Sequence, residues 1–136
     1  MEQDVPSIAQ VILERGMCFG ECPVYKVTLL ANGTVTWLGE LFVKTTGPAS
    51  WLVPTTRVTD IEKALHQANF RSLADLYEPD MTCQPSCKIT VEYADGLFKT
   101  VDHDLGSSSA PKALVLLEKQ LDKLIGTAPY IGTLSR

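Results

Sequence analysis

Asn32-Gly33 sits between two runs of alternating polarity, and no other stretch constrains the fold as tightly. Val24 to Leu30 places Tyr25, Val27 and Leu29 on one side and Lys26 and Thr28 on the other, the period of a half-buried strand. Both Asn and Gly tolerate the positive φ of a type I′ turn, so the chain reverses there. Thr34 to Leu38 then returns antiparallel, with Val35 and Trp37 on one face. Asp95-Gly96 repeats the signal. Ile89, Val91 and Tyr93 alternate with Lys88, Thr90 and Glu92 before it, and Leu97 to His103 is the return strand. Such hairpins build an antiparallel sheet, and a sheet of this kind must bury one face.

The remaining segments supply the cover. Ile8 to Arg15 reads as the first strand, ended by Gly16. Gly39 bends or bulges the sheet before Leu41 to Lys44 continues it. Thr46-Gly47-Pro48 is a turn, and Trp51 to Val53 a further short strand. Pro54-Thr55-Thr56 opens a first helix, with Val58, Ile61, Leu65 and Ala68 inward and Asp60, Glu62 and Lys63 outward. Thr59-x-x-Glu62 fits a capping box and offers a later start. Phe70, Leu73 and Leu76-Tyr77 suggest a second short helix. Pro111, with Ser108 or Ser109 as cap, begins the last helix; Leu114, Leu117, Leu121, Leu124 and Ile125 form its stripe and Gly126 ends it.

The expected fold class is α+β: a mainly antiparallel sheet of hairpins with two or three helices packed on one face. Residues 1–136 form a single domain, with 1–6 and 127–136 flexible. The expected core contains Val27, Leu29, Trp37, Ile61, Leu65, Val91, Leu117 and Leu121.

Composition narrows the function. Charged residues are 21% and the apolar class 45%, ordinary for a soluble globular protein. The net charge is −4 and no basic cluster interleaves with aromatics, which argues against nucleic acid as a partner. No apolar run approaches the roughly 20 residues of a membrane span. A homo-oligomer or a protein partner stays open. Met1 to Pro6 reads equally as a cytoplasmic start or as a mature end left by signal removal, so export and cytoplasm stay equally open.

All four cysteines lie in two loops, Cys18-x-x-x-Cys22 and Cys83-x-x-x-Cys87, each running into a strand. Three chemistries fit. Disulfides are the first, and four cysteines allow three pairings. A bridge within one loop removes about 2 kcal/mol of unfolded-state entropy, and one between the loops about 4 kcal/mol. A four-thiolate site for zinc or an iron–sulfur cluster on Cys18, Cys22, Cys83 and Cys87 is the second, with copper(I) on Cys83 and Cys87 a weaker variant. It requires both loops at one edge of the sheet. A redox-active dithiol is the third and least supported: Pro23 leads into a strand, not a helix N-terminus, and Glu21 has the wrong charge to lower a thiol pKa.

Hydrolytic chemistry has less behind it. His66 lies on the outward face of the first helix. His103 reads as a loop residue at a strand end, flanked by Asp102 and Asp104 with Ser107 to Ser109 nearby. A Ser/His/Asp set spelled this way arises readily by chance, and no G-x-S-x-G elbow or phosphate-binding glycine loop is present.

Arg15, Cys18, Phe19, Gly20, Cys22, Pro23 and Tyr25, followed by Asn32-Gly33-Thr34-Val35, Trp37 and Gly39, resemble a widespread bacterial domain family of unknown function. The resemblance runs from about Ile8 to Ile131. It implies no activity to carry over, though some members look exported. Where that pattern has Thr-Asp-x-Pro, this chain has Thr82-Cys83-Gln84-Pro85, with Cys87 beyond. The expectation is therefore a non-enzymatic binding or structural module with disulfide-forming cysteine loops. A four-cysteine metal protein is the alternative, and a thiol redox or hydrolytic enzyme the second.

Overall fold

The computed structural model describes residues 5–16, 22–77, 86–104 and 110–132. Among these residues seven strands form one sheet: β1 (Ile8–Arg15), β2 (Val24–Leu30), β3 (Thr34–Leu41), β4 (Gly47–Leu52), β5 (Leu76–Tyr77), β6 (Ser86–Tyr93) and β7 (Phe98–Asp104). Their spatial order is β4-β3-β2-β1-β6-β7-β5. Every neighbouring pair is antiparallel except β5 with β7. Helices α1 (Thr55–Gln67), α2 (Lys112–Ile125) and α3 (Ala128–Ile131) complete an α+β fold.

Both glycine turns close the expected hairpins, β2–β3 and β6–β7, but not as type I′ turns: only the glycines have positive φ, and Ala31-Asn32 and Ala94-Asp95 are the central residues. Gly33 has φ +93°, and its N–H donates to the Leu30 carbonyl at 2.9 Å. Gly39 lies at a register shift, where Val24 faces Leu41 and Tyr25 faces Gly39. A Cβ there would overlap the Thr45 carbonyl. That carbonyl accepts the Trp37 indole N–H at 2.9 Å, so only glycine lets the chain fold back so closely.

Alternation sorts the sheet into two faces. Val11, Leu13, Val27, Leu29, Val35, Trp37, Ile89, Val91 and Val101 point inward and are buried. Val58, Ile61, Ala64 and Leu65 of α1, and Leu114, Leu117, Leu121 and Ile125 of α2, pack over them. All eight residues expected in the core are at most 2% exposed.

Several boundaries differ from the sequence reading. β3 ends at Leu41, and β4 begins at Gly47 and includes Gly47 and Pro48 of the expected turn. α1 does start at Thr55, as Pro54-Thr55-Thr56 predicts, and not at the alternative Thr59 box, whose Glu62 accepts the Ile8 amide at 3.0 Å. The expected second helix is a 3-10 turn (Phe70–Ser72) followed by β5, because β7 offers Leu76 and Tyr77 a strand edge. Leu124 is only partly buried. Helix α2 begins after Pro111, whereas the expected caps Ser108 and Ser109 lie outside the described residues. Within the expected C-terminal tail, Tyr130 stacks on Trp51 at 4.1 Å and its carbonyl accepts the Thr45 amide at 3.0 Å.

Candidate functional site

One end of the inner face is polar. Strand register places Tyr25, Arg15, Cys87 and His103 in a single row across β2, β1, β6 and β7. Each is the last inward-facing position of its strand before the sheet ends. Helix α2 crosses above them and lowers two carboxylates, Glu118 and Asp122, one helical turn apart on its buried side.

The row divides into two clusters. In the first, Asp122 Oδ2 pairs with Arg15 Nη2 at 2.7 Å, and Asp122 Oδ1 accepts the Tyr25 hydroxyl at 2.5 Å and the Thr127 hydroxyl at 2.7 Å. Burial alone would lower the Arg15 pKa. Cys87, Asp122 and Tyr25 around it more than reverse that, so the guanidinium stays charged. Tyr25 is held protonated by burial and by Asp122, and its ring stacks on Trp37 at 4.7 Å.

In the second cluster, His103 Nδ1 and Glu118 Oε2 share a hydrogen bond of 2.6 Å, with both side chains 3% exposed. The Cys87 thiol is also hydrogen-bonded to Glu118. Burial raises the Cys87 pKa far above the usual thiol range, and Arg15 only partly offsets it. Burial likewise raises the pKa of Glu118, against the pull of His103 and Arg15.

A cleft of about 290 Å³ opens beside the first cluster. Pro23, Tyr25 and Ile131 give it apolar walls, Arg15 and Asp122 a charged floor, and Cys22 and Ser86 part of its rim.

Cys22 is disulfide-bonded, and Cys87 is not its partner: Cys87 is a buried free thiol. A bridge to Cys87 in the second loop is therefore not formed. The expected site residues Cys18, Phe19, Gly20 and Cys83 lie outside the described residues. β2 and β6, which follow the two cysteine loops, flank β1 and run parallel to each other, so they begin at the same end of the sheet. Among the described residues, no group of three or more His, Cys, Asp or Glu side chains is arranged to hold a metal ion.

His103 is a correction. It is a buried strand residue, because its parity in β7 turns it inward to Glu118, while Asp102 faces the other way. Ser107 to Ser109 lie outside the described residues. His66 is exposed on α1, as expected. Sequence reading missed Arg15 as a site residue, and also Glu118 and Asp122. A carboxylate falling on the apolar stripe of α2 was the available signal.

No helix among the described residues is long and apolar enough to cross a membrane. Comparison with curated proteins yields no match. Residues 9–125 match the family described as Domain of unknown function (DUF6438), a span from the second residue of β1 to the end of α2 that holds both polar clusters except Thr127. The chain belongs to that family.

Proposed function

We propose that this domain is a non-enzymatic binding or structural module, stapled at one end of its sheet by a disulfide between Cys18 and Cys22. The observation that supports this most is the unlike state of the two described cysteines. Cys22 is bonded at the rim of the cleft, while Cys87 is buried and held protonated. A thiol enzyme needs the reverse: an accessible cysteine with a depressed pKa. The Arg15–Asp122 pair neutralises the floor of the cleft, which suits a small, part-apolar ligand or partner side chain rather than a strongly charged one. The Cys-Phe-Gly-x-Cys-Pro-x-Tyr signature lies within the matched residues, in keeping with a bacterial family built around this loop.

Iodoacetamide labelling of native protein purified without reductant tests this reading. Cys87 should resist labelling at pH 8 and react only on unfolding. Prompt native labelling of Cys87, with a midpoint below the usual thiol pKa of about 8.5, would favour the redox reading instead.

A four-thiolate metal site is the second reading, supported by β2 and β6 starting at the same sheet end. It needs the Cys22 bond reduced, because zinc and iron–sulfur sites are held by cysteine thiolates. Elemental analysis of protein purified without chelator decides it: about one zinc or one iron–sulfur cluster per chain would displace the staple.

A further inference from the structure

Among the described residues no helix lies on the second face of the sheet, and its side chains form rows as regular as those of the core. One row reads Lys26, Glu14, Lys88, Asp102 across β2, β1, β6 and β7. The next reads Thr28, Ile12, Thr90, Thr100, and Thr90 and Thr100 share a hydroxyl hydrogen bond of 3.2 Å. At the far end, Leu30 is 38% and Phe98 59% exposed.

The order of charges, plus-minus-plus-minus, reverses sign when read backwards. A two-fold axis running along the strands, midway between β1 and β6, reverses a row without moving it along the strands. Under that operation Lys26 faces Asp102 of a second copy and Glu14 faces Lys88, each pair occurring twice. Ile12 meets Thr90, Thr28 meets Thr100, and Leu30 meets Phe98. No like charges oppose one another. Among the described residues, none of the four charged side chains forms an ion pair within the chain.

We infer that this open face docks a second copy of the chain, giving a two-fold, face-to-face sandwich of two aligned sheets. Sheets pack this way at about 10 Å with strands within about 30°. Four to six strands at about 4.8 Å spacing and six residues at about 3.3 Å give a patch of roughly 400–600 Å² per copy. That lies at the low end for a specific interface, so the dimer is weak and concentration-dependent. Its ion pairs sit partly in solvent, which makes it salt-sensitive.

Lys26 and Asp102 supply the test. Three strand spacings, about 14 Å, separate them within one chain, so any coupling between them is intermolecular. Sedimentation equilibrium of the full chain up to about millimolar concentration should show dimers that weaken in high salt. Lys26→Glu and Asp102→Lys should each weaken self-association by about tenfold, with circular dichroism unchanged. Mixing the two variants should restore it. In the heterodimer the introduced glutamate of one chain faces the introduced lysine of the other, and the unaltered Asp102 of the first faces the unaltered Lys26 of the second. A chain that stays monomeric overturns the inference, whether the face is then solvated or taken by another molecule. Dimers indifferent to both substitutions, or variants that fail to recover on mixing, overturn it as well.

Discussion

Glu118 and Asp122 stand one turn apart on α2 and face the same row of strand residues, yet their surroundings differ. The Glu118 side chain is 3% exposed and hydrogen-bonded to His103 and Cys87. The Asp122 side chain is 21% exposed and borders the cleft. Identical chemistry one turn apart therefore has different consequences. A partner lost from the buried cluster leaves a polar group with nothing to bond, whereas water can enter the cleft and replace a partner lost there. The first cluster is a site that a ligand can reach. The second fixes α2 on the sheet.

Leu117, fully buried beside Glu118, sets the scale. Leu117→Ala should cost about 2–5 kcal/mol in urea unfolding, as large-to-small core changes do. A loss below about 1 kcal/mol would mean that α2 does not seat its stripe in the core. Glu118→Ala should follow at about 2–4 kcal/mol, since His103 and Cys87 would both lose their buried partner. Asp122→Ala should cost less, about 1–2 kcal/mol, with water taking over for Arg15, Tyr25 and Thr127. If Asp122→Ala proves the more damaging of the two carboxylate variants, the contrast between the clusters fails.

The smallest effect is in pH. The folded-state pKa of Glu118 is raised, so above the unfolded value of about 4.3 the native protein holds this proton more tightly than the unfolded chain. Its contribution to stability is therefore fully present below that pH and declines as pH rises through the folded value. Glu118→Gln should flatten this part of the stability profile between pH 4.5 and 7.5, measured as urea midpoints. An unchanged slope would show that Glu118 is not the group that titrates.

Much of this fold was legible because turn chemistry and parity are local. Asn32-Gly33 and Asp95-Gly96 set both hairpins, but a two-residue Asp95-Gly96 loop would pair Cys87 with Asp104; the observed register, centred on Asp95, pairs Cys87 with His103. Parity alone would also have turned Arg15, Tyr25, Cys87 and His103 inward. The sequence reading uses parity for Tyr25 alone, leaving Arg15 and His103 at strand ends and Cys87 in a loop, because polar residues at an edge ordinarily face solvent. What could not be read locally was the position of α2, which turns that polar row from a frayed edge into an enclosed network. β5 was illegible for the same reason: Leu76 and Tyr77 become strand only through the β7 edge. Cys18-x-x-x-Cys22 and Cys83-x-x-x-Cys87 looked equivalent because their spacing is identical. Burial against Glu118 sets Cys87 apart from Cys22, and that lies in tertiary packing.

The staple itself is tested by a tryptic mass map of non-reduced protein alkylated after unfolding in denaturant. Cleavage after Arg15 and Lys26 releases one peptide with Cys18 and Cys22; cleavage after Arg71 and Lys88 releases another with Cys83 and Cys87. The account predicts that the first peptide is lighter than its reduced form by a pair of hydrogens and takes no alkyl group, while both thiols of the second are alkylated. The two peptides covalently joined, or four alkylated cysteines, would contradict it.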